Sequence, residues 1–176
     1  GISQRAFASC TSLSNITIPN RVTLIDNSAF ENCSSLTSVN IPDSVTKLGI
    51  SAFSDCTALE QANIPNTLTE VPGYLFRNCT SLTEITIPSG VPFINTQAFE
   101  YCSGLTRIVI PDSVTTINSY AFRHCTSLTE VVFGTGLKVI QSSAFDNCSS
   151  ITSITLPSSV AYIYSSAFNR CAALSE

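Results

Sequence analysis

Two hydrophobic rhythms alternate along this chain. Ala29, Phe30, Cys33 and Leu36 lie at i, i+1, i+4 and i+7, the spacing that gathers side chains on one face of a short helical segment. Asn27 or Ser28 would cap its start by accepting a backbone N–H. Val39 and Ile41 then alternate with Ser38 and Asn40, a period of two, which predicts a short strand with one buried face. Pro42 ends the strand, because proline cannot donate to a ladder. Val45 and Leu48 return the chain to the core, and the pattern starts again.

It restarts at a fixed interval. Cysteines fall at positions 10, 33, 56, 79, 102, 125, 148 and 171, every 23 residues. Phe7, Phe30, Phe53, Phe76, Phe99, Phe122, Phe145 and Phe168 keep the same beat. The unit reads I-x-x-S-A-F-x-x-C-x-S-L-T-x-I-x-I-P-x-x-V-T-x. Leu75 departs from its alanine, Gly134 from its proline, Phe133 from a strand isoleucine, and Ala62 weakens one strand. A period of this size signals a stack of supersecondary units, none of which can bury its apolar face alone. Stacking would pair strands in parallel about 4.8 Å apart. Bulkier helical turns on the opposite side would curve the stack, strands inward. The Phe, Cys, Leu and strand Ile/Val columns are the expected core.

The L-x-x-I-x-I-P-x-x-V-x-x-I stretch, with A-F-x-x-C before it, resembles the BspA-like (Treponema pallidum-type) leucine-rich repeat family. The likeness covers residues 1–176 as seven full 23-residue repeats plus a partial one. It implies an α/β solenoid: a single right-handed array with a parallel sheet on the concave side and short helical or 3₁₀ turns on the convex side. It also implies a non-enzymatic adhesin, at a cell surface or secreted, that contacts host matrix or plasma proteins such as fibronectin or fibrinogen. The chain starts and stops inside a repeat, with no polar capping unit. That points to a piece of a longer array, or to open ends that stack head to tail into fibres.

Composition narrows the chemistry. Charged residues make up 11%, against about 25% in ordinary domains. Net charge is −4, which disfavours a nucleic-acid partner, since that would need a basic stripe. No apolar run is long enough to insert in a bilayer. No phosphate-loop, dinucleotide, nucleophile-elbow or zincin motif occurs, so neither an enzyme nor a cofactor is expected. His124 precedes Cys125, but adjacent residues on a helical turn point apart, so it reads as an exposed helical residue. Asp43 and Asp112 share the slot after the proline, where they would serve the turn. One cysteine per repeat gives no clustered metal ligands. The convex side of a curved stack would space the thiols too widely for disulfides. A column of buried, reduced thiols is expected instead.

Candidate partner-binding residues are the outward strand positions. One column reads Asn15, Ser38, Gln61, Glu84, Arg107, Glu130, Ser153, and the other Thr17, Asn40, Asn63, Thr86, Val109, Val132, Thr155. The middle carries Glu84, Thr86, Arg107, Val109, Glu130 and Val132. Charge beside exposed valine there makes the best binding centre, because such centres favour arginine and apolar contact. A second candidate is aromatic: Tyr74 and Tyr120 share a repeat position, and Phe93, Tyr162 and Tyr164 are expected to cluster. N-x-[ST] sequons occur at Asn15, Asn32, Asn78 and Asn147.

Overall fold

The computed structural model describes residues 1–176 as a parallel β-solenoid without a helix. Each repeat contributes rungs to two strand faces and one stack of turns. The first strand face contains Ser38–Val39 (β2) paired with Gln61–Ala62 (β4), and Arg107–Ile110 (β6) paired with Glu130–Phe133 (β8). The second contains Leu24–Ile25 (β1) paired with Lys47–Leu48 (β3). It continues as a four-stranded sheet of Phe93–Ile94 (β5), Thr116–Ile117 (β7), Val139–Ile140 (β9) and Tyr162–Ile163 (β10). Every pair is parallel, with partners one repeat apart, as Arg107 with Glu130 and Val109 with Val132.

The expected helical turns are absent, and the hydrogen bonds give the reason. Along residues 26–33 alternate amides serve different partners. Ala29, Glu31 and Cys33 donate back three residues, to Asp26, Ser28 and Phe30. Ser28, Phe30 and Asn32 donate instead to Ile50, Ala52 and Ser54 of the next repeat, at 2.8–2.9 Å. A helix would use all of these amides internally; here half of them form a second inter-repeat ladder. The geometry requires φ of 54° at Ser28 and 58° at Asn32, and the same two positions are left-handed in every copy, as at Tyr74 and Asn78. An isolated left-handed residue interrupts a right-handed helix. Ser28 therefore cannot cap one, and the Asn27 side chain accepts the Ile50 N–H of the next repeat. The i, i+4 pattern was real, but it described stacked β-turns.

The turn ladder also corrects the reason for excluding disulfides. Peptide hydrogen bonds set the spacing on this side as they do on the strands, so the thiol column is not spread apart. Seven of the eight thiols are engaged instead. Cys33, Cys56, Cys79, Cys102, Cys125, Cys148 and Cys171 donate to the carbonyl of the phenylalanine 26 residues earlier, at 3.1–3.2 Å. These seven are buried, Cys10 is exposed, and all eight are free. Burial pushes the Cys33, Cys79 and Cys125 thiols up, Cys56 and Cys102 to about 12 and Cys171 to about 11.

The phenylalanines form one continuous pile. Most neighbouring rings sit 5.1–5.2 Å apart and within 8° of parallel. Phe30, Phe53, Phe76, Phe99, Phe122 and Phe145 are fully buried within a 45-residue apolar cluster, while Phe7 and Phe168 pack on its margins. The alanine before the ring is buried at Ala29, Ala52, Ala98, Ala121, Ala144 and Ala167, and Leu75 is buried in its place before Phe76.

Two stability predictions follow from this packing. Phe76→Ala should cost about 3–5 kcal/mol in chemical denaturation, and Phe7→Ala less, because Phe7 is only half-buried. In a thiol titration of the native protein only Cys10 should react promptly. The other seven should react after denaturant is added.

Candidate functional site

The middle of the first strand face is built by its longest rungs. β6 and β8 are four residues each and alternate strictly: Ile108 and Ile110 point into the core, Arg107 and Val109 out. On β8 Glu130 and Val132 point out, and Val131 and Phe133 are half-buried. Parallel register sets Arg107 beside Glu130, where Nε donates to Oε2 at 2.9 Å with both side chains exposed. The valines stand side by side at 40% and 39% exposure. The result is a patch with an ion pair at one edge and an apolar pair beside it.

Glu84 and Thr86 are also exposed, but residues 83–87 form no strand. A cleft of about 350 Å³ opens there, lined by Ala62, Glu84, Ile85, Thr86, Ile87, Arg107, Val109 and Pro111. Four of the six candidates therefore form the patch, and Glu84 and Thr86 form the far wall of a cleft at its margin. Asn63 leaves the outward column. Its side chain turns back to the Ile41 peptide, accepting the N–H and donating to the C=O, each at 2.7 Å. The carbonyl and amine of one amide thus replace a rung of the ladder.

The aromatic candidate does not assemble as expected. Phe93 and Tyr162 both face outward from the second sheet, but the rows of Thr116 and Val139 separate them. Tyr162 and Tyr164 do approach, at 6.3 Å between rings. Tyr120 lies under the Arg123 guanidinium at 5.4 Å. Asp112 does not serve its own turn. It accepts from the Thr135 N–H and hydroxyl of the next repeat, which holds its carboxyl below the usual range.

An electrostatic column on the turn side went unread in the sequence. The residue after each phenylalanine reads Arg77, Glu100, Arg123, Asp146 across four copies, alternating in sign. Arg77 Nε lies 3.1 Å from Glu100, Arg123 bridges Glu100 at 3.3 Å and Asp146 at 3.4 Å, and Arg170 closes on Asp146 at 2.6 Å. Both carboxylates are buried. The Arg170 contact, foremost, holds the Asp146 carboxyl below its usual range. The signal was legible as sign alternation at period 23, once neighbours in the column are known to touch.

His124 belongs to the adjacent column and is half-buried rather than freely exposed. Its ring stacks on Tyr101 at 4.6 Å, and Asn147 Nδ2 donates to its Nδ1 at 2.8 Å. That bond selects the neutral ring with its proton on Nε2. Burial, then the nearby Arg123, lowers its pKa from the ordinary value. His124 and Cys125 form no nucleophile–base pair, since the Cys125 thiol donates to the Phe99 carbonyl. No helix is long and apolar enough to cross a membrane.

The repeat pattern, the parallel rungs and the stacked phenylalanines agree with the family described as BspA type Leucine rich repeat region, which matches residues 1–122 and 93–176. The chain belongs to this family. Among solved structures it is similar to the leucine-rich repeat protein of T. pallidum, at 30% identity and a TM-score of 0.86, over 93% of this chain and 78% of that one. A leucine-rich repeat protein from Bacteroides ovatus matches with the same identity and TM-score, over 93% of this chain and 45% of that one. A leucine rich cell surface protein from Faecalibacterium prausnitzii is 42% identical with a TM-score of 0.65, over 68% of this chain and 32% of that one. The chain thus spans less than half the length of the Bacteroides and Faecalibacterium proteins. No curated protein sequence matches it.

Two measurements probe the charged surface of this BspA-type repeat protein. Arg123→Met should cost about 1–3 kcal/mol in denaturation, because the buried carboxylates of Glu100 and Asp146 each lose a charged partner. The His124 pKa is lowered on folding, so the unfolded chain binds the extra proton more readily. Its contribution is complete above the ordinary value of 6.5 and is lost as pH falls below it. A pH series of denaturation midpoints should show that decline, and His124→Gln should flatten it.

Proposed function

We propose that this chain is a non-enzymatic protein-binding module that uses the middle of its first strand face. The observation that carries this reading is the β6–β8 patch. Val109 and Val132 lie exposed side by side, next to the Arg107–Glu130 pair and the cleft walled by Glu84 and Thr86. Solvent-facing valines with a charged rim match the usual makeup of an interface, apolar at its centre and polar at its edge. The rungs beneath are the longest in the solenoid, so the patch is held rigidly. Ligand binding costs little when the receptor is already ordered.

The proposed setting is a cell surface or the extracellular space, with host matrix or plasma proteins as partners. Family membership and the printed description of the Faecalibacterium relative as a cell surface protein support this setting. Seven buried, hydrogen-bonded thiols are compatible with an oxidising environment, because burial keeps oxidants and exchange partners from reaching them.

The test is binding of the purified protein to fibronectin, fibrinogen, laminin and mucin beside an Arg107→Glu/Val109→Asp variant. The variant should keep its circular dichroism spectrum and lose at least about tenfold in affinity, the effect of one central contact. Equal binding by both proteins would move the site off this face. Absence of binding to all four would remove the proposed partners.

A further inference from the structure

The solenoid is not equally coupled along its length. At most interfaces between repeats, hydrogen bonds cross at the turns and on at least one strand face. On the second strand face, for example, Ile2 donates to Leu24 and Asp26 donates back to Ile2. Val71 and Asn95, then Asn118 with Ile94 and Gln141 with Ile117, extend the scheme. One interface lacks it, between the repeat of Phe53 and the repeat of Phe76.

The sequence explains the gap. Pro72 occupies the position of Asp26, Gly49, Asn95, Asn118 and Gln141, whose amides each donate to the previous repeat. Proline has no N–H, so the Leu48 carbonyl has no donor opposite it. The Leu48 amide, whose counterpart Val71 donates to Phe93, makes no backbone bond. Neither does the Thr69 amide, although its counterparts Thr46 and Thr115 donate to Thr23 and Pro92. The first strand face is open at the same interface. Thr83 does not donate to Glu60, whereas Thr106 donates to Thr83 and Thr129 to Thr106. β4 ends at Ala62, and nothing in residues 84–87 pairs with it.

Packing shows the same discontinuity. Phe76 is 5.8 Å and 16° from Phe53, and 6.0 Å and 20° from Phe99, so its ring tilts away from an otherwise even pile. Leu75, buried where other copies have alanine, supplies the extra bulk beside it. Clefts open at this break on both strand faces. One is walled by Ala62 and Glu84, the other by Leu48, Glu70 and Pro72. Only the turn side remains fully bonded: Ser51 to Gly73, Phe53 to Leu75 and Asp55 to Arg77, at 2.7–3.1 Å. The Cys79 thiol adds its bond to Phe53. On the strand side no side-chain bond crosses: the hydroxyl that Thr67 donates to Val45 and Ser113 to Val91 has no counterpart here, because Gly90 stands in that position.

We propose that this interface is a built-in seam. The residues up to about Thr67 and those from Val71 onward form two blocks that pivot on the intact turn ladder, opening and closing the strand-side clefts. In a linear array the weakest interface between neighbours is where cooperativity breaks. The seam lies between the Gln61 and Glu84 rows, so such a motion changes the shape of the outward face beside the β6–β8 patch. Such a motion would occur whether or not that patch binds a partner.

Residue-resolved amide exchange on the whole chain tests it. The amides of Leu48, Thr69 and Thr83 should exchange at least about tenfold faster than their counterparts Val71, Thr46 and Thr106, as expected for a local opening. Pro72→Asn restores the missing donor with a residue that two other copies carry there. It should slow exchange at Leu48 and Thr69 and leave Val139 and Ile140 unchanged. Equal exchange within each set in the parent protein would overturn the seam, whatever the variant does. Fast exchange that Pro72→Asn leaves untouched would overturn the assignment of the seam to the missing proline donor.

Discussion

Everything in this molecule depends on how the backbone divides its hydrogen bonds at the turns. A chain segment has one donor per residue, and each donor must find an acceptor. At the turns alternate amides close the local loop while the rest reach the next repeat. This leaves no segment satisfied on its own. It also fixes the spacing of repeats on the turn side by the same bond that fixes it on the strands. The phenylalanines stack at a regular interval because of that spacing, and the thiols donate to phenylalanine carbonyls held in reach by the same ladder.

The cysteine column becomes intelligible on these terms. A carbonyl in the buried turn has two lone pairs. The Phe30 carbonyl accepts from the Cys33 amide of its own repeat and from the Cys56 thiol of the next. An alanine would fill part of the space and leave the second acceptor site unused. A serine would bring a stronger donor with a greater need for water. The small, weakly polar thiol suits a buried site of this kind.

Much of the fold was legible in the sequence, and the limits were physical. Period 23 fixed which residues are equivalent, and strand alternation at Val39 and Ile41 fixed which face they bury. The character of the turn was not legible. Ala29, Phe30, Cys33 and Leu36 have a helical spacing, and nothing in side-chain pattern reports that Ser28 and Asn32 have positive φ. Of the candidate binding residues, Arg107, Val109, Glu130 and Val132 were placed together by register alone. Glu84 and Thr86 were exposed as expected but stand across a cleft, because Pro72 and Leu75 disturb their repeat. Asn63 looked outward by parity and turned back to satisfy the Ile41 peptide. The Arg77–Glu100–Arg123–Asp146 column was present as alternating sign. It needed the close spacing of the turn side, which a helical reading denied.

The division of amides at the turns is the central claim, and it can be observed bond by bond. Scalar couplings across hydrogen bonds connect an amide nitrogen directly to the carbonyl carbon that accepts from it. The Phe122 amide should couple to the Ala144 carbonyl, in the next repeat, and the Arg123 amide to the Tyr120 carbonyl within its own turn. A coupling from Phe122 to the carbonyl four residues before it, Asn118, would mean that the turn is a helix after all and would contradict the account.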